Sequence, residues 1–222
     1  NTVERVVMVD IDEEAVKERY GFGPERVAAE CSGPLPTLAV LQDCDVATLN
    51  TSNGPGTAAV ESDLDNPGSD VIIVTGTTRN DVILIEPQPG DASRVRVLIN
   101  GQVRGTFSTS TFSRFVAFGL AGNDTIIVAW NLEQDAKLFG HSGIDSLFGG
   151  AGKDGLSGGT GTDHLFGGWD TDTLCGGAGN DFLYGQHDGD VLGGEAGNDR
   201  LFGESGSDQL QGGEGHDYLY GG

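Results

Sequence analysis

From Gly140 onward the chain repeats itself every nine residues. Consecutive nonapeptides begin at Gly140, Gly149, Gly158, Gly167, Gly176, Gly185, Gly194, Gly203 and Gly212, and Gly221-Gly222 opens a tenth. The first place is Gly in all nine, and the eighth is Leu in all nine, from Leu147 to Leu219. The sixth is always Asp: Asp145, Asp154, Asp163, Asp172, Asp181, Asp190, Asp199, Asp208 and Asp217. A fixed period of this kind marks a solenoid, in which each unit buries its apolar side only against its neighbours. The glycine-rich places one to five let the backbone turn at positive φ and leave carbonyls that no side chain engages. Places seven to nine form a short strand whose Leu points inward while its neighbours point outward. One Leu cannot hold a unit together, but stacked units bury a ladder of them. The carboxylate and the loop carbonyls are hard oxygen donors, a set that suits Ca2+ at ~6–8 coordination.

This Gly-Gly-x-Gly-x-Asp-x-Leu-x pattern resembles the repeats-in-toxin (RTX) family, and the resemblance covers Gly140–Gly222, more than a third of the chain. It implies an all-β fold, a right-handed parallel β-roll with two nonapeptides per turn and calcium held between loops eighteen residues apart. Carried over, Asp145, Asp163, Asp181, Asp199 and Asp217 line one column, and Asp154, Asp172, Asp190 and Asp208 the other. Five loops leave four gaps and four leave three, so the resemblance implies about seven calcium ions. The departures are His141, Gln186, Glu195 and Glu204 at the second place, expected to be mild, and Asp170 and Asp188 at the fourth. Those two need a left-handed backbone, which Asp tolerates better than most residues; they are secondary candidates as ligands.

Charge points the same way. Residues 140–222 hold eleven Asp and three Glu against Lys153 and Arg200, a net −12 within a chain of −22. Acids in two columns repel one another without cations, so the roll is expected to unfold in chelator and fold in calcium. The same charge disfavours nucleic acid and anionic lipid as partners. No apolar run reaches the ~18 residues of a membrane span, so no insertion is expected.

Outward positions differ between the columns. The ninth place of the first column reads Phe148, Phe166, Tyr184, Phe202 and Tyr220, whereas the second reads Ser157, Cys175, Gly193 and Gln211. Rungs of a parallel sheet lie ~4.8 Å apart, so the aromatics should stack into a strip. Another part of the chain, another molecule, or the strip's own stacking would cover it; its five residues are interface candidates.

Residues 71–139 read as a strand-rich region with degenerate repeats. "GSDVIIVTGTTRNDVILIE" and "GLAGNDTIIVAW" place Asp81 and Asp124 at the acid position, as turn formers first and extensions of the column second. "RVRVLINGQVRGTFS" is an alternating hairpin around Asn100-Gly101. Residues 50–70 read as a linker, and residues 1–49 as a small α+β segment with one strand and a short helix. Cys31 and Cys44 would suit a disulfide in an exported protein or remain two thiols; Cys175 has no evident partner.

Catalysis finds little material. All four histidines, His141, His164, His187 and His216, fall inside the repeat. Residues 1–139 therefore carry no His-Glu-x-x-His zinc site and no Ser-His-Asp device. "GLSGG" (Gly155–Gly159) fits a nucleophile elbow only because two nonapeptides meet there. The expectation is a non-enzymatic, extracellular, secreted or cell-surface calcium-binding structural protein. A bare final turn would let copies join head to tail into a filament or layer. The alternative is the calcium-triggered folding and secretion module of a larger exported adhesin, toxin or hydrolase.

Overall fold

The structure is a computed structural model and describes residues 55–63 and 68–222. The segment 1–49, with Cys31 and Cys44, lies outside the described residues. Seventeen strands and no helix make up the described part. Ahead of the repeats come β1 (Thr57–Ser62), β2 (Asp70–Thr75), β3 (Val82–Gln88), β4 (Asp91–Ile99), β5 (Gln102–Ser108), β6 (Arg114–Ala121) and β7 (Thr125–Val128). The repeats supply β8 (Asp135–Ser142), β9 (Ser146–Gly150), β10 (Gly155–Gly161), β11 (His164–Gly168) and β12 (Thr173–Gly179). They continue with β13 (Phe182–His187), β14 (Val191–Ala196), β15 (Arg200–Ser205), β16 (Gln209–Glu214) and β17 (Tyr218–Tyr220).

Successive repeat strands alternate between two sheets. One sheet has eight strands in the order β1-β2-β6-β8-β10-β12-β14-β16, the other nine in the order β17-β15-β13-β11-β9-β7-β3-β4-β5. Within each, repeat strands pair in parallel at an offset of eighteen residues. Leu156 faces Leu174, Leu192 and Leu210 along one sheet. Leu147, Leu165, Leu183, Leu201 and Leu219 align along the other. The period of nine thus puts every eighth-place Leu between the sheets, and those from Leu147 to Leu201 are fully buried. A buried Leu contributes about 1.5–3 kcal/mol by leaving water. Leu183→Ala leaves a gap between two sheets that cannot close independently, and should lower the urea-unfolding free energy of the calcium-loaded chain by about 2–5 kcal/mol.

The solenoid begins well before Gly140. Ile83 and Ile126 stand in line with Leu147, and Val74, Ala117 and Leu138 in line with Leu156. On the eight-stranded sheet the acid place is taken here by Ile72, Phe115 and Ala136, all buried. At that place these first turns are therefore apolar on that side, although Asp63 is buried nearby in an ion pair with Arg114. The hairpin β4–β5 turns at Asn100 (φ 53°) and Gly101 (φ 74°), the positive pair that a tight two-residue turn needs. Part of the stretch read as a linker is not a linker: Thr57–Ser62 forms β1, antiparallel to β2 and outermost in its sheet among the described residues. Glycine and proline around it end the strand, but its alternating residues still pair.

A second apolar cluster was not anticipated. Val71, Val116, Phe118, Leu120 and Phe139 are buried on the outward face of the eight-stranded sheet, with the Phe118 and Phe139 rings stacked 5.1 Å apart. These residues precede the regular nonapeptides, so a column-by-column reading of the nonapeptides passes over them.

Candidate metal centre

Each sixth-place Asp sits at the point where a glycine loop enters a strand, and the eighteen-residue offset stacks these points directly. The Asp145 N–H donates to Asp163 Oδ1 at 2.7 Å, the Asp163 N–H to Asp181 Oδ1 at 2.8 Å, and the Asp181 N–H to Asp199 Oδ1 at 2.8 Å. Asp199 continues the line to Asp217 at 3.0 Å. In the other column Asp154, Asp172, Asp190 and Asp208 are joined in the same way at 2.8–2.9 Å. Each carboxylate thus spends one oxygen on the rung before it. The backbone carbonyl is spent too, since Asp145 O accepts from the His164 N–H at 2.9 Å and Asp163 O from the Phe182 N–H at 2.8 Å.

What remains is Oδ2. In Asp145, Asp154, Asp172, Asp181, Asp190, Asp199 and Asp208 it is buried with no hydrogen-bond partner. A buried carboxylate oxygen left this way costs several kcal/mol unless a cation or a proton meets it. The surroundings supply more oxygen. A Cβ placed on Gly140 would collide with Asp145 Oδ2 and lie 2.7 Å from the Gly158 carbonyl oxygen of the next turn. Gly158 repeats the arrangement with Asp163 and the Gly176 carbonyl, and Gly176 with Asp181 and the Gly194 carbonyl. The first-place glycine is therefore required for space, whereas the positive-φ bends fall at the second and fourth places, as at Gly159 and Gly161. No three His, Cys, Asp or Glu side chains converge among the described residues. The donors on offer are one or two carboxylates with backbone carbonyls, a hard, all-oxygen set that fits Ca2+. Bound there, such an ion would supply the positive charge that offsets the buried carboxylates.

Burial dominates the protonation behaviour. It pushes Asp145 up to about 6, Asp181 and Asp190 to about 7, Asp154 to about 8 and Asp172 to about 9. Neighbouring carboxylates on the ladder add to the rise at Asp172, from Asp154 and Asp190. The fourth-place residues contribute from outside the ladder. Asp170 adds to the rise at Asp154 and Asp172, and Asp188 at Asp190, although both are themselves exposed on the turns. They enrich the negative charge of one column without joining its hydrogen-bonded line.

Two backbone findings revise the sequence reading. Asp170 and Asp188 do take left-handed φ, 68° and 71°. The second-place departures are not mild, however: His141, Gln186, Glu195 and Glu204 all sit at φ between 68° and 85°. Each holds a conformation that costs a non-glycine residue of order 1 kcal/mol or more. The sequence shows the missing glycine but not that the loop demands a positive φ at that place. Also missed was a fifth-place ladder, in which the Asn198 N–H donates to Asn180 Oδ1 at 2.8 Å and the His216 N–H to Asn198 Oδ1 at 2.9 Å. The recurrence of Asn before Asp was its visible signal.

A family model for the RTX calcium-binding nonapeptide repeat matches in four copies, at residues 135–165, 156–183, 166–201 and 193–222. Residues 135–222 are RTX calcium-binding repeats. No curated protein and no solved structure matches the chain. The RTX roll is a structural calcium-binding motif, and Ser157 of "GLSGG" lies inside β10, 4 % exposed, as part of it. No helix among the described residues is long and apolar enough to cross a membrane.

On the outward face of the nine-stranded sheet the RTX strands stack their aromatics. Phe148 and Phe166 lie 4.6 Å apart with nearly parallel ring planes, Phe166 and Tyr184 4.9 Å, Tyr184 and Phe202 5.0 Å. A second line runs beside it, with His164 stacked on Phe182 at 4.7 Å and the Arg200 guanidinium 5.0 Å above the Phe182 ring. The first four rings of the strip are half-buried by this stacking, while Tyr220 stays 55 % exposed.

Proposed function

We propose that this chain is a structural element of the cell exterior whose RTX roll is stiffened by about seven calcium ions, one per gap between stacked loops. The nine sixth-place Asp are its ligands. The observation that carries this reading is the set of buried Oδ2 oxygens facing glycine carbonyls of the next turn. Outside the cell calcium is plentiful, and in a calcium-poor cytosol the same chain would stay unfolded and exportable. Folding on arrival then follows from one shared free energy of binding and folding.

Copies of the roll join head to tail in this reading. Among the described residues β1 and β5 stand at one end of the two sheets and β16 and β17 at the other. The ends are unlike, antiparallel strands at one and parallel rungs at the other, so a contact between them would repeat without closing. Stacking the rungs of a second copy would also lengthen the aromatic strip.

A second reading has its own support. Gly222 takes φ 105° above Glu204, as Gly213 does above Glu195, so a tenth repeat starts in register. The rung β17, whose Tyr218, Leu219 and Tyr220 are 56 %, 44 % and 55 % exposed, then receives the next repeat of a longer exported protein, and the roll acts as its calcium-triggered folding module. Size-exclusion chromatography with light scattering, and electron microscopy, separate the two. Concentration-dependent polymers in calcium that disperse in chelator are expected for the building block; a calcium-loaded chain monomeric at high concentration removes it and leaves the folding module.

A further inference from the structure

We propose that the metal column on the nine-stranded side extends one loop upstream of the matched repeats, to a calcium site between residues 119–124 and 140–145 to which Asp124 supplies a carboxylate. The column stops there because Asn100 seals the next rung. This rests on the reading that the RTX loops hold calcium through their sixth-place Asp.

Loop 119–124 has the build of a repeat loop although it precedes the matched residues. Gly119 and Gly122 occupy the first and fourth places, and Gly122 takes φ 129°, a value near the fourth-place glycines Gly143 and Gly161 at 145° and 139°. Asp124 is 1 % exposed. Its N–H donates to Asp145 Oδ1 at 2.7 Å, and its own Oδ1 accepts the Asp81 N–H at 2.7 Å. Its Oδ2 is buried and has no hydrogen-bond partner. A Cβ on Gly119 would collide with that oxygen and lie 3.0 Å from the Gly140 carbonyl oxygen, the same cradle found at Gly140 itself. Carboxylate, carbonyl and tight glycine loop are all repeated, together with an oxygen that only a cation or a proton can meet.

One rung further the cradle is closed. Asp81 is equally buried, at 1 % exposed, but both of its oxygens are engaged. Oδ2 accepts from the Thr77 N–H at 2.5 Å and the Thr77 hydroxyl at 2.8 Å, and Oδ1 from Asn100 Nδ2 at 2.6 Å. Asn100 is pinned in that place by Val82, whose N–H donates to its Oδ1 at 2.9 Å and whose carbonyl accepts its N–H at 2.9 Å. The hairpin turn thus takes the place of the missing rung and satisfies the ladder with hydrogen bonds. On the opposite sheet the column ends earlier, since Ala136 donates its N–H to Asp154 Oδ1 at 2.7 Å and brings no carboxylate.

The test counts ions bound to the full chain by equilibrium dialysis and mass spectrometry, for wild type, Asp124→Asn, Asp81→Asn and Asp190→Asn. Asp124→Asn should bind one calcium fewer than wild type while keeping its far-UV spectrum in calcium. Asp81→Asn should bind the wild-type number, and Asp190→Asn should lose at least one. If Asp190→Asn loses calcium and Asp124→Asn does not, this site is overturned and the RTX reading stands; unchanged counts in both overturn the two together. A full complement lost by Asp81→Asn but not by Asp124→Asn overturns the assignment of the last rung. Should Asp124→Asn not fold, crystals of the wild type grown in calcium decide by anomalous scattering. A peak between the two loops supports the site, and none there beside peaks in later gaps overturns it.

Discussion

In excess EDTA at neutral pH the roll loses its strand structure, and its melting transition disappears or falls by tens of degrees. The cause is electrostatic and local. Seven carboxylates from Asp145 to Asp208 keep a buried oxygen that no hydrogen bond reaches, and residues 140–222 carry a net −12. Each site filled at a hundred times its dissociation constant adds about 2.7 kcal/mol. A handful of such sites therefore outweighs the ~5–15 kcal/mol that holds a typical domain folded. The loss should be uneven along the chain. The first turns bury Ile72, Ile83, Phe115 and Ile126 together, and Asp81 is satisfied without metal. Hydrogen exchange in EDTA should thus remain slow in β2, β3 and β6 and become fast from β11 to β17. A circular dichroism spectrum and melting point indifferent to EDTA would refute the calcium-held roll.

Without metal, acid should stabilise the roll. Burial raises Asp145 to about 6, Asp181 and Asp190 to about 7, Asp154 to about 8 and Asp172 to about 9, each from an ordinary 3.8. The folded state then holds protons that the unfolded chain has released. That stabilisation is complete below about pH 4 and is lost as pH rises through the interval from about 6 to 9. In EDTA, melting temperatures should accordingly climb on going from pH 9 to pH 5. In calcium the trend reverses over the acid range, because protons compete with the ion for the same oxygens. Parallel melts at pH 5, 7 and 9 with and without chelator give two curves that converge toward acid. A metal-free protein that weakens as it is acidified toward pH 5 would mean that the carboxylates are not confined as the ladder places them.

Much of the candidate site was legible because the motif is local. The acid, the Leu and the first glycine recur at fixed distances, and a strand's alternation alone places Leu inward and the aromatics outward. The aromatic stack from Phe148 to Phe202 follows from that alternation and the rung spacing. Other features depend on two loops meeting. Nothing within the nonapeptide reveals that Oδ1 caps the previous rung while Oδ2 stays unpaired, or that the second place needs positive φ. Asp81 and Asp124 look alike in sequence, each following Asn and preceding β-branched residues. They differ only in what the fold brings to them: the side chains of Thr77 and Asn100 for one, an open glycine cradle for the other.

The sequence by itself therefore determined the repeat, its two columns, the leucine interior and the affinity for a hard cation, since each rests on residue type and spacing of nine or eighteen. Only the tertiary structure decided where the solenoid starts and how its columns end. Ile72, Phe115 and Ala136 enter the acid place without any motif, and a hairpin nineteen residues from Asp81 supplies the group that closes its ladder. Those outcomes depend on hydrogen-bond partners and burial set by register between distant strands, which a local pattern does not carry.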